Sequence, residues 1–104
     1  MSELLPYKIG KRAAKEFKRI RKTDQKLYRK MNEAIEFIRK NPFSGNAKTG
    51  DLKGYFCIDV SHIGTNYELC YTLEEDDTGD MILIVLMGPR ENFYEQLKRY
   101  LGKT

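Results

Sequence analysis

Hydrophobic residues in the first half of the chain recur with the period of an α-helix. Thr23-Asp24 interrupts the pattern and offers an N-cap for a second helix, and Asn41-Pro42 predicts that this helix ends near Lys40. Two helices joined by so short a break form a helical hairpin. Its apolar faces are predicted to consist of Ala13, Ala14, Phe17 and Ile20 in the first helix and Leu27, Met31, Ala34, Ile35 and Ile38 in the second.

Beyond a polar connection at 41–54 the hydrophobic period changes to two, which is typical of β-strands. Gly64-Thr65-Asn66 and the acidic stretch 75–80 predict the turns between three strands, and 81–87 is apolar on both faces, as a covered central strand is. Asn92 and Glu95 resemble a capping box ahead of a last helix. The residues predicted to face the hairpin are Phe56, Ile58, Val60, Tyr67, Leu69 and Tyr71, and the last helix is predicted to bury Phe93, Leu97, Tyr100 and Leu101.

The elements follow the order β-α-α-β-β-β-α, with a short edge strand between Leu5 and Ile9. This order predicts one α+β domain spanning residues 1–104. An antiparallel sheet of about four strands packs on the N-terminal helical hairpin and a C-terminal helix, with the helices on one face. A chain of 104 residues is long enough for one domain and one modest core.

Composition narrows the classes of protein that the chain can belong to. No apolar run approaches the roughly 20 residues of a membrane span, and the N-terminus lacks the apolar core of a signal peptide, so we expect a cytoplasmic protein without a membrane partner. Cys57 and Cys70 form no CxxC motif, which excludes a disulfide framework and a zinc motif but leaves a single cross-strand disulfide open.

Charge is distributed unevenly along the chain. Residues 1–53 carry 15 Lys and Arg against 6 Asp and Glu, a net +9, whereas residues 54–104 carry 4 against 9, a net −5. A basic front half suits a nucleic acid or an acidic partner, and it is also what two solvated amphipathic helices produce.

The strand that ends in Gly88-Pro89 brings an arginine and a tyrosine to the start of the last helix. Arg90 can bind phosphate and stabilise developing negative charge, and Tyr94, one turn later, can stack on a base or assist proton transfer. Alternation places Glu68 and Asp59 on the sheet face nearest this pair, where either carboxylate can act as a general base. Ordinary structural roles remain open for all four: ion pairing for Arg90, core packing for Tyr94 and solvation for the two acids.

The chain resembles the RelE/ParE superfamily of type II toxin–antitoxin toxins, and within it the RelE-type messenger RNA interferases. The resemblance covers nearly the whole chain. Its anchors are the basic hairpin, the segments 41–43 and 50–54, the strand Tyr67-Glu68-Leu69-Cys70-Tyr71 and, most specifically, Gly88-Pro89-Arg90-Glu91-Asn92-Phe93-Tyr94.

This resemblance implies a toxin that cleaves messenger RNA on the ribosome without metal or other cofactor, and a small antitoxin as its protein partner. The 2′-hydroxyl attacks the adjacent phosphate, leaving a 2′,3′-cyclic phosphate and a 5′-hydroxyl. Arg90 matches the arginine that stabilises the transition state, Tyr94 the tyrosine that stacks on the message, and Glu68 is the candidate general base. The residues that we expect to contact RNA or the ribosome are Lys48, Lys53, Lys98 and His62, which lies at the predicted turn between two strands.

Two positions depart from the RelE-type pattern. Such toxins commonly have an arginine where Glu68 stands and lysines on the strand that here contains Asp59. Two alternative functions therefore stay open: a ParE-like inhibitor of DNA gyrase that cuts nothing, and a catalytically degenerate homologue that only binds antitoxin.

Overall fold

The computed structural model describes residues 4–102, which form three helices and a five-stranded sheet. Across the sheet the strand order is β1-β5-β4-β3-β2, and every neighbouring pair is antiparallel except β1 and β5. The elements are β1 Tyr7–Ile9, α1 Lys11–Thr23, α2 Gln25–Lys40, β2 Asn46–Ala47, a 3₁₀ turn Gly50–Leu52, β3 Tyr55–His62, β4 Thr65–Asp76, β5 Gly79–Pro89 and α3 Phe93–Tyr100.

The helical hairpin forms where the sequence predicts it. Asp24 is the N-cap of α2, and its Oδ1 accepts a hydrogen bond from the Leu27 backbone N–H at 3.1 Å. The apolar stripes of both helices pack on one sheet face to form the larger core, which includes Ile35, Leu69 and Tyr71. Within residues 4–102, no helix combines the length and the apolarity needed to cross a membrane.

The prediction that all helices cover one face of the sheet is wrong. Phe93 and Leu97 of α3 belong to a second buried cluster with Cys57 and Cys70, which point away from the hairpin. The two cysteines are joined by a disulfide between directly opposed positions of β3 and β4. α3 therefore shields the opposite face, and this is why β5 is apolar on both sides.

A β-bulge in β5 determines which of its residues pack in the hairpin core and which pack in the α3 cluster. Tyr71 pairs with Ile84 and Cys70 with Leu86, so Val85 is the additional residue on β5. The bulge shifts the alternation of side chains. Val85 and Leu86 consequently lie in the α3 cluster, while Ile84 and Met87 lie in the hairpin core.

The turn between β3 and β4 lies one residue earlier than predicted. It consists of Ile63 and Gly64, whose φ angles of 45° and 72° are the positive values that tight two-residue hairpins use. Both strands are therefore longer than the sequence suggests, and His62 belongs to β3 instead of the turn.

The connection at 41–54 is anchored by a buried tyrosine. Tyr71 Oη donates to the Pro42 carbonyl at 2.8 Å and accepts from the Gly45 N–H at 3.2 Å. A Cβ on Gly45 would lie 2.8 Å from that oxygen, so only glycine fits there without a shift. This anchoring brings the following residues, including Lys48, alongside β3.

Candidate functional site

The junction between β5 and α3 fixes the position of Arg90. Its backbone N–H donates to the Asn66 carbonyl at 2.8 Å, and its own carbonyl accepts from the Phe93 N–H at 3.1 Å. Asn92 adopts a left-handed conformation with φ 58° and its side chain makes no capping hydrogen bond, so the predicted capping box is wrong. The chain instead turns sharply after Arg90 and starts α3 above the sheet.

Glu68 on β4 lies at the centre of the site. Its side chain is almost entirely buried, with only 2% of the residue exposed. Tyr94 Oη, from the first turn of α3, donates to Glu68 Oε1 at 3.1 Å, and Arg90 Nε lies 4.0 Å from the same oxygen. Lys48 completes the group, because its Nζ lies 4.6 Å from the centre of the Tyr94 ring.

The environment of Glu68 changes its acidity. Burial, followed by the neighbouring Asp59 carboxyl, raises the pKa of Glu68 to about 7, against the opposing effects of the Tyr94 hydrogen bond and the Lys48 charge. A carboxyl with such a pKa exchanges a proton near neutral pH, which is what general acid–base chemistry requires. Its other oxygen, Oε2, is buried without a hydrogen-bond partner.

Arg90 is the member of this group that is exposed to an incoming ligand, and there is room for a Cβ beside Glu68. The Arg90 side chain is 58% exposed, so its guanidinium retains donors for an incoming anion. Gly88 on β5 lies directly opposite Glu68 on β4, and a Cβ added at Gly88 would have no atom within 4 Å. The site is therefore a buried carboxyl with space beside it, bordered by an exposed arginine, a lysine and a tyrosine.

The structure brings together Arg90, Tyr94, Glu68 and Lys48, but not every residue selected from the sequence. Lys98 is half-buried one turn beyond Tyr94 on α3, and Lys53 is exposed just after the 3₁₀ turn. No contact links either residue to Glu68 in the part of the chain that the structure describes.

His62 does not belong to this group. It is 5% exposed, whereas the sequence predicts a histidine in a turn. Its position in β3 gives it the same facing as Val60, toward the hairpin, and its Nε2 lies 2.9 Å from Asp24 Oδ2 at the junction of the two helices. Because it faces away from Glu68, it lies outside this group, and its contact with RNA or the ribosome stays a prediction.

Gly88 and the contact between Lys48 and Tyr94 were not predicted from the sequence. Gly88 carries no chemistry of its own, and only the register of β4 against β5 shows that it leaves space beside Glu68. Likewise, Lys48 is distant in sequence from Tyr94 and meets it only because the 41–54 connection is anchored to Tyr71. Composition and periodicity hold no signal for either.

The fold and the site together describe a small α+β protein with a cationic and phenolic cluster at one sheet end. The structure is similar to that of a YoeB/ParE toxin from Agrobacterium tumefaciens, with a TM-score of 0.69 and 16% sequence identity, covering 83% of this chain and 99% of the other. At that identity the likeness shows the fold alone. No curated protein sequence matches the chain.

A family model resolves the class further. The model described as the ParE-like toxin of type II bacterial toxin–antitoxin systems matches residues 8–98. The chain belongs to this family of toxins, and the predicted resemblance to the RelE/ParE superfamily is confirmed. Membership implies a cognate antitoxin as a protein partner.

Proposed function

We propose that this toxin is a ribosome-dependent messenger RNA endoribonuclease that inhibits translation in the cytoplasm. The observation that carries the proposal is the buried Glu68 carboxyl, hydrogen-bonded by Tyr94 and lying 4.0 Å from Arg90 Nε. A base with a pKa near neutrality beside an exposed arginine suits phosphodiester chemistry.

Each residue has a role in a reaction that uses the RNA's own 2′-hydroxyl. Ionised Glu68 accepts the hydroxyl proton, the freed oxygen forms a bond to the adjacent phosphorus, and the bond from phosphorus to the 5′ oxygen breaks. The products are a 2′,3′-cyclic phosphate and a 5′-hydroxyl, whose oxygen takes a proton from water, and Glu68 then releases the proton that it accepted to the solvent. Arg90 stabilises the negative charge that builds on the phosphate oxygens, and Tyr94 holds Glu68 and offers its ring for stacking.

The basic front half of the chain supports docking on the ribosome. Residues 1–53 carry a net +9, and the lysines and arginines of α1 and α2 are largely exposed. Attraction to a phosphate backbone through such charges weakens as salt rises. Lys48, Lys53 and Lys98 are the further candidates for contact with RNA or ribosome near the site.

A ParE-like inhibitor of DNA gyrase without nuclease activity is the second candidate function. The observation that favours it is the pair of acidic residues Asp59 and Glu68, which occupy positions where a phosphate-binding site gains from cations. The two functions are distinguished by the macromolecule that is cut. An endoribonuclease cuts the message, whereas a gyrase inhibitor leads to DNA that gyrase has cleaved.

Induced expression of Arg90→Ala tests the proposal. We expect wild-type protein to arrest growth and to produce message ends within coding sequence on primer extension, whereas Arg90→Ala loses about 10²-fold or more of the cleavage because it lacks the charge stabiliser. The matched control is Arg99→Ala, which removes an exposed arginine from the last turn of α3, outside the basic hairpin, and should remain toxic.

Three outcomes would overturn the proposal. One is full toxicity of Arg90→Ala at equal expression. Another is growth arrest by the wild-type protein with intact message and accumulating gyrase-cleaved DNA, which would establish the second candidate. The third is wild-type protein without any effect on growth, which would indicate a homologue that only binds antitoxin.

A further inference from the structure

We propose that Asp59 and Glu68 hold a single proton between them, and that Asp59 is a positioning residue that keeps Glu68 basic. The two residues are directly opposed in the register of β3 and β4. The catalytic consequence rests on the proposed RNA cleavage, whereas the shared proton is a property of the folded chain alone.

The Cα–Cα distance at the neighbouring disulfide indicates how close Asp59 and Glu68 are. Cys57 and Cys70 are opposed two residues earlier on the same face, with their Cα atoms 4.1 Å apart. Along an antiparallel strand pair, the Cα–Cα distance between directly opposed residues alternates between a short and a long value. Two opposed pairs that lie two residues apart therefore both have the short distance or both have the long one. Asp59 and Glu68 therefore form a close pair as well, and side chains of such pairs are in contact range.

The hydrogen-bonding capacity of Glu68 indicates where the proton lies. Oε1 accepts from Tyr94, while Oε2 is buried without a donor. Two ionised carboxylates have only acceptors and repel each other, whereas a protonated Glu68 can donate from Oε2 to Asp59. Protonation thus satisfies the buried oxygen and removes the repulsion in one step.

The remaining charged and titratable groups around Glu68 act in the opposite direction. Arg90 follows β5, Lys48 precedes the 3₁₀ turn and Tyr94 extends from α3, and each stabilises the ionised form. Burial and Asp59 favour the protonated form. When the pair releases its proton, Glu68 is a stronger base than a solvated carboxylate, and its reprotonation by substrate is correspondingly favourable.

Carboxyl ¹³C NMR titration of the purified chain tests the pair directly, with the Glu68 resonance assigned by its loss in Glu68→Gln. We expect Asp59→Asn to lower the pKa of Glu68 by about one unit or more, since the neutral amide removes the neighbouring carboxylate that favours protonated Glu68. Asp59→Glu should retain the raised value. The control is Asp80→Asn, which breaks an exposed cross-strand acidic pair with Glu75 and should leave Glu68 unchanged.

An unchanged Glu68 titration in Asp59→Asn would overturn the proposal and assign the raised pKa to burial alone. The measurement needs neither RNA nor ribosomes, so it is independent of whether the chain cleaves message. Where cleavage is observed, Asp59→Asn should also move the acid limb of the pH–rate profile to lower pH and reduce the plateau. An unmoved acid limb would contradict the role of Asp59 in catalysis.

Discussion

Among residues 4–102, His62 and Glu68 are the two buried members of the acidic and basic amino acids, and their surroundings differ in the sign of the nearest charge. His62 faces the hairpin and meets Asp24, whereas Glu68 faces α3 and lies opposite Asp59. Each keeps one buried atom without a hydrogen-bond partner, Nδ1 and Oε2 respectively. A buried ionisable group that contacts a group of opposite character links two parts of the fold. A buried ionisable group beside a like charge has a shifted pKa, which suits it to proton transfer.

The two sites also have opposite effects on the pH dependence of stability. The backbone N–H of Leu27, supported by His62, lowers the pKa of Asp24, so the stability that this carboxylate contributes is lost as pH falls through its folded-state pKa. Burial and Asp59 raise the pKa of Glu68 from 4.5 to about 7, so its contribution is present below pH 4.5 and is lost as pH rises toward 7. The structural pair thus favours neutral pH and the candidate catalytic group favours acid.

Replacing His62 should have the largest effect on stability. We expect His62→Ala to lower the free energy of unfolding by about 2–3 kcal/mol, because it leaves a cavity between the hairpin and the sheet and removes the partner of Asp24. Urea unfolding at pH 7 measures this loss. Thr65→Ala, at the exposed position opposite His62 in β4, is the control and should change stability little. If His62→Ala were as stable as wild type, the contact between His62 and Asp24 would not stabilise the packing of the hairpin on the sheet.

Replacing Glu68 should act in the opposite direction. We expect Glu68→Gln to raise the free energy of unfolding by about 1–2 kcal/mol at pH 8, because a neutral amide avoids the cost of a buried charge beside Asp59. The gain should vanish near pH 5, where the wild-type carboxyl is protonated. Unfolding curves at both pH values measure it, with the exposed Glu75→Gln as control. If Glu68→Gln were less stable than wild type at pH 8, the ionised Glu68 carboxyl would not be unfavourable in its buried site beside Asp59.

Asp24→Asn should give the smallest effect and separates capping from charge. Asparagine caps helices as well as aspartate does, so α2 keeps its first turn while the carboxylate contact with His62 Nε2 is lost. We expect a loss of stability smaller than that of His62→Ala, together with a weaker decline of stability below pH 4. A decline as steep as in the wild type would place the acid-sensitive group elsewhere.

Features that depend on local periodicity were predicted well from the sequence. The apolar stripes fix both hairpin helices, and Asp24 and Pro42 fix their ends, because helix formation and capping are determined by residues a few positions apart. Alternation also assigned Cys57, Asp59 and Glu68 to one face of the sheet, as the register confirms.

Features that depend on distant pairing were not predictable in the same way. Nothing local indicates that β1 pairs in parallel with β5, or that β2 forms at Asn46–Ala47. The burial of Glu68 was missed because its face was expected to be open, whereas α3 and the 41–54 connection cover it. Asn92 was a plausible cap by spacing alone, but the sharp turn after Arg90 imposes a backbone that capping does not use.

The disulfide shows the same limit. Two cysteines thirteen residues apart carry no pairing information until the β3–β4 register opposes them. That same register opposes Asp59 and Glu68. One long-range feature, the alignment of a single hairpin, therefore determines both the covalent link and the acidity of the candidate base.

Cleavage of message by purified Glu68→Gln on programmed ribosomes tests the central claim most directly. We expect this variant, folded and at least as stable as wild type at pH 8, to lose about 10²-fold or more of the cleavage rate, as removal of a general base does. Glu75→Gln should cut at the wild-type rate. Cleavage by Glu68→Gln at the wild-type rate would show that the buried carboxyl is not the base.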